Sequence, residues 1–280
     1  MFGISDGLDY TPLSVSLFYS AHNISMTNSR LRYGWIPDLP DQRDHLYVAA
    51  PRILTKLPPR VDLRLRCPPV FDQGALGSCT ANAIGNAYRF DLLRQRGPKN
   101  FVPSRLFIYY NERAIEGTVD TDVGAMLRDG IKTLAKQGVC AEQSWPYDTE
   151  RFAAKPPAAA YREALRHQAL SYQRLVQDAW QMKGCLASGY PFVFGFSVYE
   201  SFESPIVARA GQMPMPGPGE RMIGGHAVLA VGYDDSDATF IVMNSWSVKW
   251  GDKGYFHMPY AYLTTPQLAR DLWTVRTVEG

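Results

Sequence analysis

The hydrophobic pattern changes period near residue 190, and that change limits the fold more than any other feature of the chain. Before it, apolar residues recur at helical spacing. The stretch from Cys79 to about Arg94 carries Ala81, Ala83, Ile84, Ala87, Tyr88, Leu92 and Leu93, and it runs into Gly97-Pro98, which cannot continue a helix. Residues 104–112, 126–136, 158–169 and 175–188 read as further helices. After residue 190 come short apolar runs and period-two alternation. Residues 192–198, 226–233, 240–244, 255–258 and 272–278 read as strands, and the Gly/Pro-dense stretch 211–219 reads as a loop. Helices first and strands second imply an α+β protein with two lobes.

Residues 1–56 differ in character from the rest and read as an N-terminal extension to a domain spanning 57–280. Pro37, Pro40 and Pro51 are spaced so that no helix runs through them, and Tyr33-Gly34-Trp35-Ile36-Pro37-Asp38-Leu39-Pro40 reads as extended chain. The first residues lack a basic start and carry Asp6 and Asp9, which argues against a conventional secretory leader, although residues 12–21 are weakly apolar. No apolar run approaches the length of a membrane span. The formal net charge of +2 has no long run of one sign behind it, so neither nucleic acid nor an anionic membrane is expected as a partner. Four cysteines, Cys67, Cys79, Cys140 and Cys185, are too few for a disulfide scaffold, and no close pair suggests a metal site. Cys67 and Cys140 flank segments expected near the Cys79 helix. They are either bridged or both reduced and buried.

Three segments carry chemistry. In Gln73-Gly74-Ala75-Leu76-Gly77-Ser78-Cys79 a glycine-bearing turn delivers a cysteine to the first turn of a helix, where partial positive charge and unpaired N–H groups favour thiolate and can hold an oxyanion. Gln73 is a side-chain donor for the same purpose. In Gly224-Gly225-His226-Ala227 a histidine heads an apolar strand. In Asn244-Ser245-Trp246 an asparagine ends the next strand, where its oxygen can accept the imidazole N–H and Trp246 can shield that bond. Taken singly, each has a plain alternative: a core cysteine, a structural histidine, a packed tryptophan.

The ordered set Gln73, Cys79, His226, Asn244, with Trp246 two residues after the asparagine, resembles the papain family of cysteine peptidases, in which His and Asn follow the cysteine by about 150 residues. The likeness runs from about Leu57 to about Trp273 and takes in Gly138-Val139 and Trp145-Pro146-Tyr147. Tyr33-Gly34-Trp35-Ile36 and Cys67-Pro68-Pro69-Val70 look like the bacterial branch. The resemblance implies a papain-like two-lobe fold, with a helical left lobe carrying Cys79, an antiparallel β-barrel-like right lobe carrying His226 and Asn244, and a cleft between them. It implies a Cys79 acyl-enzyme with His226 as general acid and base, Asn244 as its orienter, and Gln73 with the Cys79 N–H as oxyanion hole. Gly124 is implied to bind extended substrate backbone, and Ala227 and Gly195 to line the pocket for the second residue before the cut. No cofactor is implied, the substrate is a peptide or protein, and a monomer is expected.

The sequence departs from the family pattern at Leu76, where a bridged cysteine is usual, at Thr80, where a tryptophan usually follows the nucleophile, and at Ser247, where glycine is common. Enzymes of this kind are commonly made as zymogens whose prosegment crosses the cleft in reverse, so the extension is expected to lie over the site and inhibit it. Two other functions fit a Cys/His pair: an acyl transferase or amidase, and a silent binding protein on a peptidase scaffold. The Asn-Ser-Trp context disfavours the first and the intact Gln73, Cys79, His226 and Asn244 disfavour the second.

Overall fold

A computed structural model describes residues 33–279. The expectations for residues 1–32, including the weakly apolar stretch 12–21, lie outside the described residues. Ten strands form: β1 (Trp35–Ile36), β2 (Leu46–Tyr47), β3 (Arg60–Asp62), β4 (Ala125–Met126), β5 (Ala169–Leu175), β6 (Phe192–Tyr199), β7 (Met222–Asp234), β8 (Thr239–Met243), β9 (Tyr255–Pro259) and β10 (Ala269–Val278). Eight α-helices accompany them: α1 (Pro51–Leu54), α2 (Cys79–Arg94), α3 (Arg105–Glu116), α4 (Leu127–Lys136), α5 (Ala158–Ala164), α6 (Ala179–Ala187), α7 (Pro205–Ala210) and α8 (Tyr260–Thr264). No described helix is long and apolar enough to cross a membrane.

The predicted order of helices then strands is the observed one, with two local differences. The helix read over 158–169 stops at Ala164, and 169–175 is instead the strand β5, half-buried against β10. Leu165 to Gln168 breaks the helix because His167 N bonds back to Ala164 O and the chain turns into the sheet. The helix read from 175 begins at Ala179, where the Asp178 side chain caps it by accepting from Gln181 N.

The papain-like two-lobe arrangement is present. Strand order is β2-β5-β10-β6-β7-β8-β9, with β3 added on β7. The pairing is antiparallel throughout except for β2 on β5. The sheet does not close into a barrel. Among the described residues its outer strand β9 is met beyond β8 only by isolated bridges, Gln212 to His257 and Asp252 to Tyr255, and not by β2 from the other end of the sheet. Strands β6, β7 and β8 are buried on both faces, which is why they read as apolar runs rather than as alternation.

Helix α2 is the wall between the lobes. Thirteen of its residues are buried, against α3 and α4 on one side and β7, β10 and β6 on the other. A helix buried all round needs small residues to let its neighbours in, and its Ala-Asn-Ala-Ile-Gly-Asn-Ala run supplies them. The loop before it is sewn to the strand lobe: Gln73 N donates to Ser245 O and Ser247 N to Phe71 O. That stitch fixes the first turn of α2 beside the end of β8.

The extension from Asp38 onward is built into this body. Strand β2 joins the main sheet, and the Tyr47 and Ala49 side chains are buried. The Asp38 carboxylate accepts from Arg128 N and from the Trp273 indole, while Asp38 N donates to Asp271. Asp44 pairs with both Arg128 and Arg174. Strand β1, just before this clasp, pairs in parallel with β4.

Candidate active site

Cys79 opens α2 behind Ser78, the residue at the cap position. The Ser78 hydroxyl does not cap the helix; it lies 2.5 Å from the Tyr147 hydroxyl and accepts from Asn82. The first-turn N–H groups are therefore not satisfied by a cap side chain, which leaves them oriented toward an anion. Tyr147 also donates to Gln73 O at 2.9 Å, so one hydroxyl braces both ends of the turn that carries Gln73 and Cys79. Arg105 stacks over the Tyr147 ring at 3.8 Å, donates to Asp72 O and Asn82 Oδ1, and is itself held by Glu142. An arginine this buried (7 % exposed) holds its position because four of its five N–H donors are used.

Gln73 is fully buried. Its Nε2 donates to Leu76 O, and its Oε1 accepts from the Ser245 hydroxyl at 2.6 Å. The next residue down the network is Asn244. Its Oδ1 accepts from Ser245 N at 2.8 Å and lies 2.8 Å from His226 Nε2. A backbone N–H demands an acceptor, so the asparagine presents oxygen, and the imidazole must donate from Nε2. That leaves Nδ1 as the ring's basic nitrogen, buried and without a hydrogen-bond partner. Trp246 stacks on the imidazole with centroids 4.7 Å apart. The structure thus brings Gln73, Asn244, His226 and Trp246 into one connected array, with the Cys79 sulfur within hydrogen-bonding reach of the backbone of Ala227, the residue after the histidine.

The site is covered. Cys79 and His226 have no exposed surface. The Cys79 sulfur also lies within reach of the Gly34 backbone. Ala125 N donates to Gly34 O at 2.8 Å, and a side chain at Gly124 would strike that oxygen at 2.1 Å. Gly124 thus sits where an extended backbone runs, although the occupant is the chain's own Gly34. Gly195 and Ala227 face each other across β6 and β7, and the Trp35 ring fills the space above Gly195, where a Cβ would come within 1.9 Å of it. On the other side of Gly34, the Tyr33 ring meets His226 edge-on at 6.1 Å and Trp246 at 6.2 Å.

Covering reverses one expectation about charge. The helix N-terminus was read as lowering the Cys79 pKa. Instead burial pushes the thiol up to about 12, with the carboxyl of Glu112 adding in the same direction and the nearby backbone groups opposing. Burial likewise pushes His226 down to about 4, against the Asn244 hydrogen bond. Desolvation outweighs the helix field while residues 33–36 keep water out. Both shifts favour the uncharged forms, thiol and imidazole.

Sequence reasoning placed no bridge with certainty, and none forms: all four cysteines are free thiols. Cys67 lies against Leu63 and Tyr255, whereas Cys140 lies against Ser104 and Glu163, so the two sulfurs belong to different neighbourhoods. Cys185 is buried beside Arg276. Two residues of α3 near the start of α2 were not singled out. Glu112, fully buried, accepts from Thr80, and burial raises its carboxyl well above the usual range. Arg105 is the other. The helix also carries Arg113 and Glu116, so charge alone did not mark them.

Comparison with known proteins agrees with this geometry. The family model described as papain family cysteine protease matches residues 57–269. A protein of Acanthamoeba polyphaga mimivirus, described as an uncharacterized peptidase C1-like protein, is 44% identical over 270 residues, covering 88% of this chain and 87% of that one. The crystal structure of xylellain, a cysteine protease from Xylella fastidiosa, superposes with a TM-score of 0.82 at 44% identity, over 91% of this chain and all of that one. A procathepsin B from Trypanosoma congolense shares the fold at a TM-score of 0.70 and 18% identity, over 90% of this chain and 87% of that one.

Proposed function

The chain belongs to the papain family of cysteine proteases and is a cysteine peptidase, and from that premise we propose that Cys79 is its nucleophile, with His226 as general acid and base. The observation that carries this reading is the pinned asparagine. Asn244 Oδ1, held by Ser245 N, ties up His226 Nε2 and leaves Nδ1 free to take a proton. Once uncovered, the Cys79 thiol gives its proton to His226 Nδ1, and the thiolate attacks the peptide carbonyl. The Cys79 N–H and Gln73 receive the oxyanion. His226 returns the proton to the leaving amine, and water then hydrolyses the acyl-enzyme with His226 as base. Trp246 keeps water off the His226–Asn244 bond.

The extension is a built-in inhibitor in this reading, and it divides into two parts. Residues 33–37 are the blocker. Tyr33, Gly34 and Trp35 fill the cleft from the His226 side to the Gly195 pocket, and the parallel pairing of β1 with β4 supports a blocker lying in reverse. Residues 38–56 are a strap that stays with the peptidase body, as the buried Tyr47, Ala49 and Asp38 support. Gly124 lies along the substrate backbone, and Gly195 with Ala227 lines the pocket that Trp35 fills.

An epoxide inhibitor that alkylates Cys79, together with a fluorogenic peptide, tests the whole proposal. The full-length protein is expected to label slowly and turn over little, and Trp35→Ala to accelerate both. Labelling without turnover of any peptide points to acyl transfer instead. Failure of Trp35→Ala to label at all refutes the assignment of Cys79.

A further inference from the structure

The side of the cleft occupied by Tyr33 carries a charge that the reaction itself does not use. The turn Glu200–Glu203 follows β6 and passes beside Trp246, with Phe202 packed on the Trp246 ring at 5.6 Å. Its two glutamates have different fates. Glu200 is taken up by Arg221 on the neighbouring strand-entry segment. Glu203 is exposed and accepts a hydrogen bond from the Tyr33 hydroxyl. The tyrosine proton is held tightly there: burial raises the Tyr33 pKa, and the Glu203 carboxylate raises it further.

The position of Tyr33 identifies which subsite this is. In the proposed mechanism His226 protonates the leaving amine, so the residue after the scissile bond lies on the His226 side of Cys79. Tyr33 lies on that side, edge-on to both His226 and Trp246. Trp35, two residues on, lies on the other, over Gly195 and alongside β4. The ring of Tyr33 therefore marks an aromatic-walled slot with Trp246 on one side and a carboxylate at its far end.

We propose that Glu203 is a specificity-determining residue, selecting in the residue that follows the scissile bond a side chain tipped with a hydroxyl or a cation. The inference rests on the peptidase reading above. A slot with one carboxylate at its far end accepts a phenol O–H, an ammonium or a guanidinium as a charge-assisted donor and repels a substrate carboxylate. A phenyl ring fits the same walls and leaves the carboxylate hydrated at no gain. The blocker exploits this preference with Tyr33.

Two experiments on the full-length chain decide it. The first needs no turnover: the rate of Cys79 labelling by an epoxide. Tyr33→Phe and Glu203→Gln are each expected to raise the rate by the same factor, about fivefold, and the double variant to rise no further. Independent, multiplying effects overturn the proposal. The second uses Trp35→Ala and quenched peptides identical except for Tyr, Lys, Phe or Glu after the cut. Tyr and Lys are expected to exceed Phe in kcat/KM by about tenfold, with Glu lowest. Glu203→Lys is expected to lift Glu above Lys. An unchanged ranking in Glu203→Lys overturns this proposal and leaves the peptidase reading intact. No cleavage of any peptide overturns both.

Discussion

Trp35 stands where residue 195 would need to place a side chain: a Cβ on Gly195 would come within 1.9 Å of Trp35 Cε2 and 2.1 Å of its indole nitrogen. The pocket and its plug are shaped to each other, and the first prediction follows. Gly195→Ala should leave β6 intact, because the three atoms nearest the new Cβ all belong to the Trp35 ring. It should displace Trp35 and raise the Cys79 labelling rate by at least tenfold, while circular dichroism stays native. The same change should narrow the pocket, so that peptides with Trp or Phe two residues before the cut lose kcat/KM relative to those with Val or Ala. An unchanged labelling rate would mean that Trp35 does not hold the cover shut.

The catalytic array makes unequal demands on its members. Cys79→Ala should remove turnover entirely, since no other thiol or hydroxyl adjoins His226 in the mechanism. Asn244→Ala should leave measurable activity, lower by about a hundredfold, because Trp246 stacking still orients the imidazole. Steady-state kinetics on a Trp35→Ala background reads both. Retained turnover in Cys79→Ala would sink the assignment.

The thiol supplies the pH test. Its pKa in the covered state is pushed up to about 12 from an ordinary value of 9.0. A thiol raised in this way holds its proton more firmly when covered than when open. Its contribution to the cover is complete below pH 9 and is lost as pH rises from 9 toward 12. Iodoacetamide alkylation of the full-length protein should therefore climb by about tenfold per pH unit across that range. In Trp35→Ala, where water reaches the thiol beside His226 and the α2 N-terminus, the rate should level off at a pH several units lower. A plateau at the same pH in both proteins would contradict the covering account.

The division of the extension at Asp38 predicts different outcomes for two truncations. Removing residues 1–37 should leave a folded protein with a reactive thiol. Removing 1–56 strips β2 from the sheet edge and takes the buried Tyr47 and Ala49 with it. That should cost roughly 4 kcal/mol, seen as a drop of roughly 10 °C in Tm. Equal melting temperatures would show that the strap is ornamental.

Much of the site was legible in the sequence because its parts announce themselves locally. A cysteine after a glycine-bearing turn opens α2 and an asparagine directly follows β8, whereas the histidine read as a strand start lies four residues inside β7. Residues 79–94 read to their observed bounds and β8 to within one residue at each end, whereas β7 starts at Met222 rather than at His226. What was not legible depends on partners distant in sequence. Strand β5 was missed, its first and last residues read into the flanking helices, because its alternation is weak and its register comes from β10, a hundred residues on. The clasp of Asp38 with Asp271 and Trp273, and the grip of Arg105 on Tyr147, are fixed by tertiary geometry that no local spacing encodes. The Cys79 pKa went the wrong way for a related reason. The helix N-terminus is a local feature, whereas the burial that overrides it comes from residues more than forty positions away.

The clasp at Asp38 has a kinetic meaning. A cut on the amino side of Tyr33 would leave the blocker tied to the body one residue beyond Pro37, through bonds to Arg128, Trp273 and Asp271. A ligand held on so short a leash competes at an effective concentration on the order of millimolar. Dilution cannot wash it out, and neither can dialysis. If residues 33–37 inhibit as proposed, a substrate would have to outbid a neighbour that never leaves, and the apparent affinity for peptides would be set as much by the hinge at Pro37 as by the cleft itself.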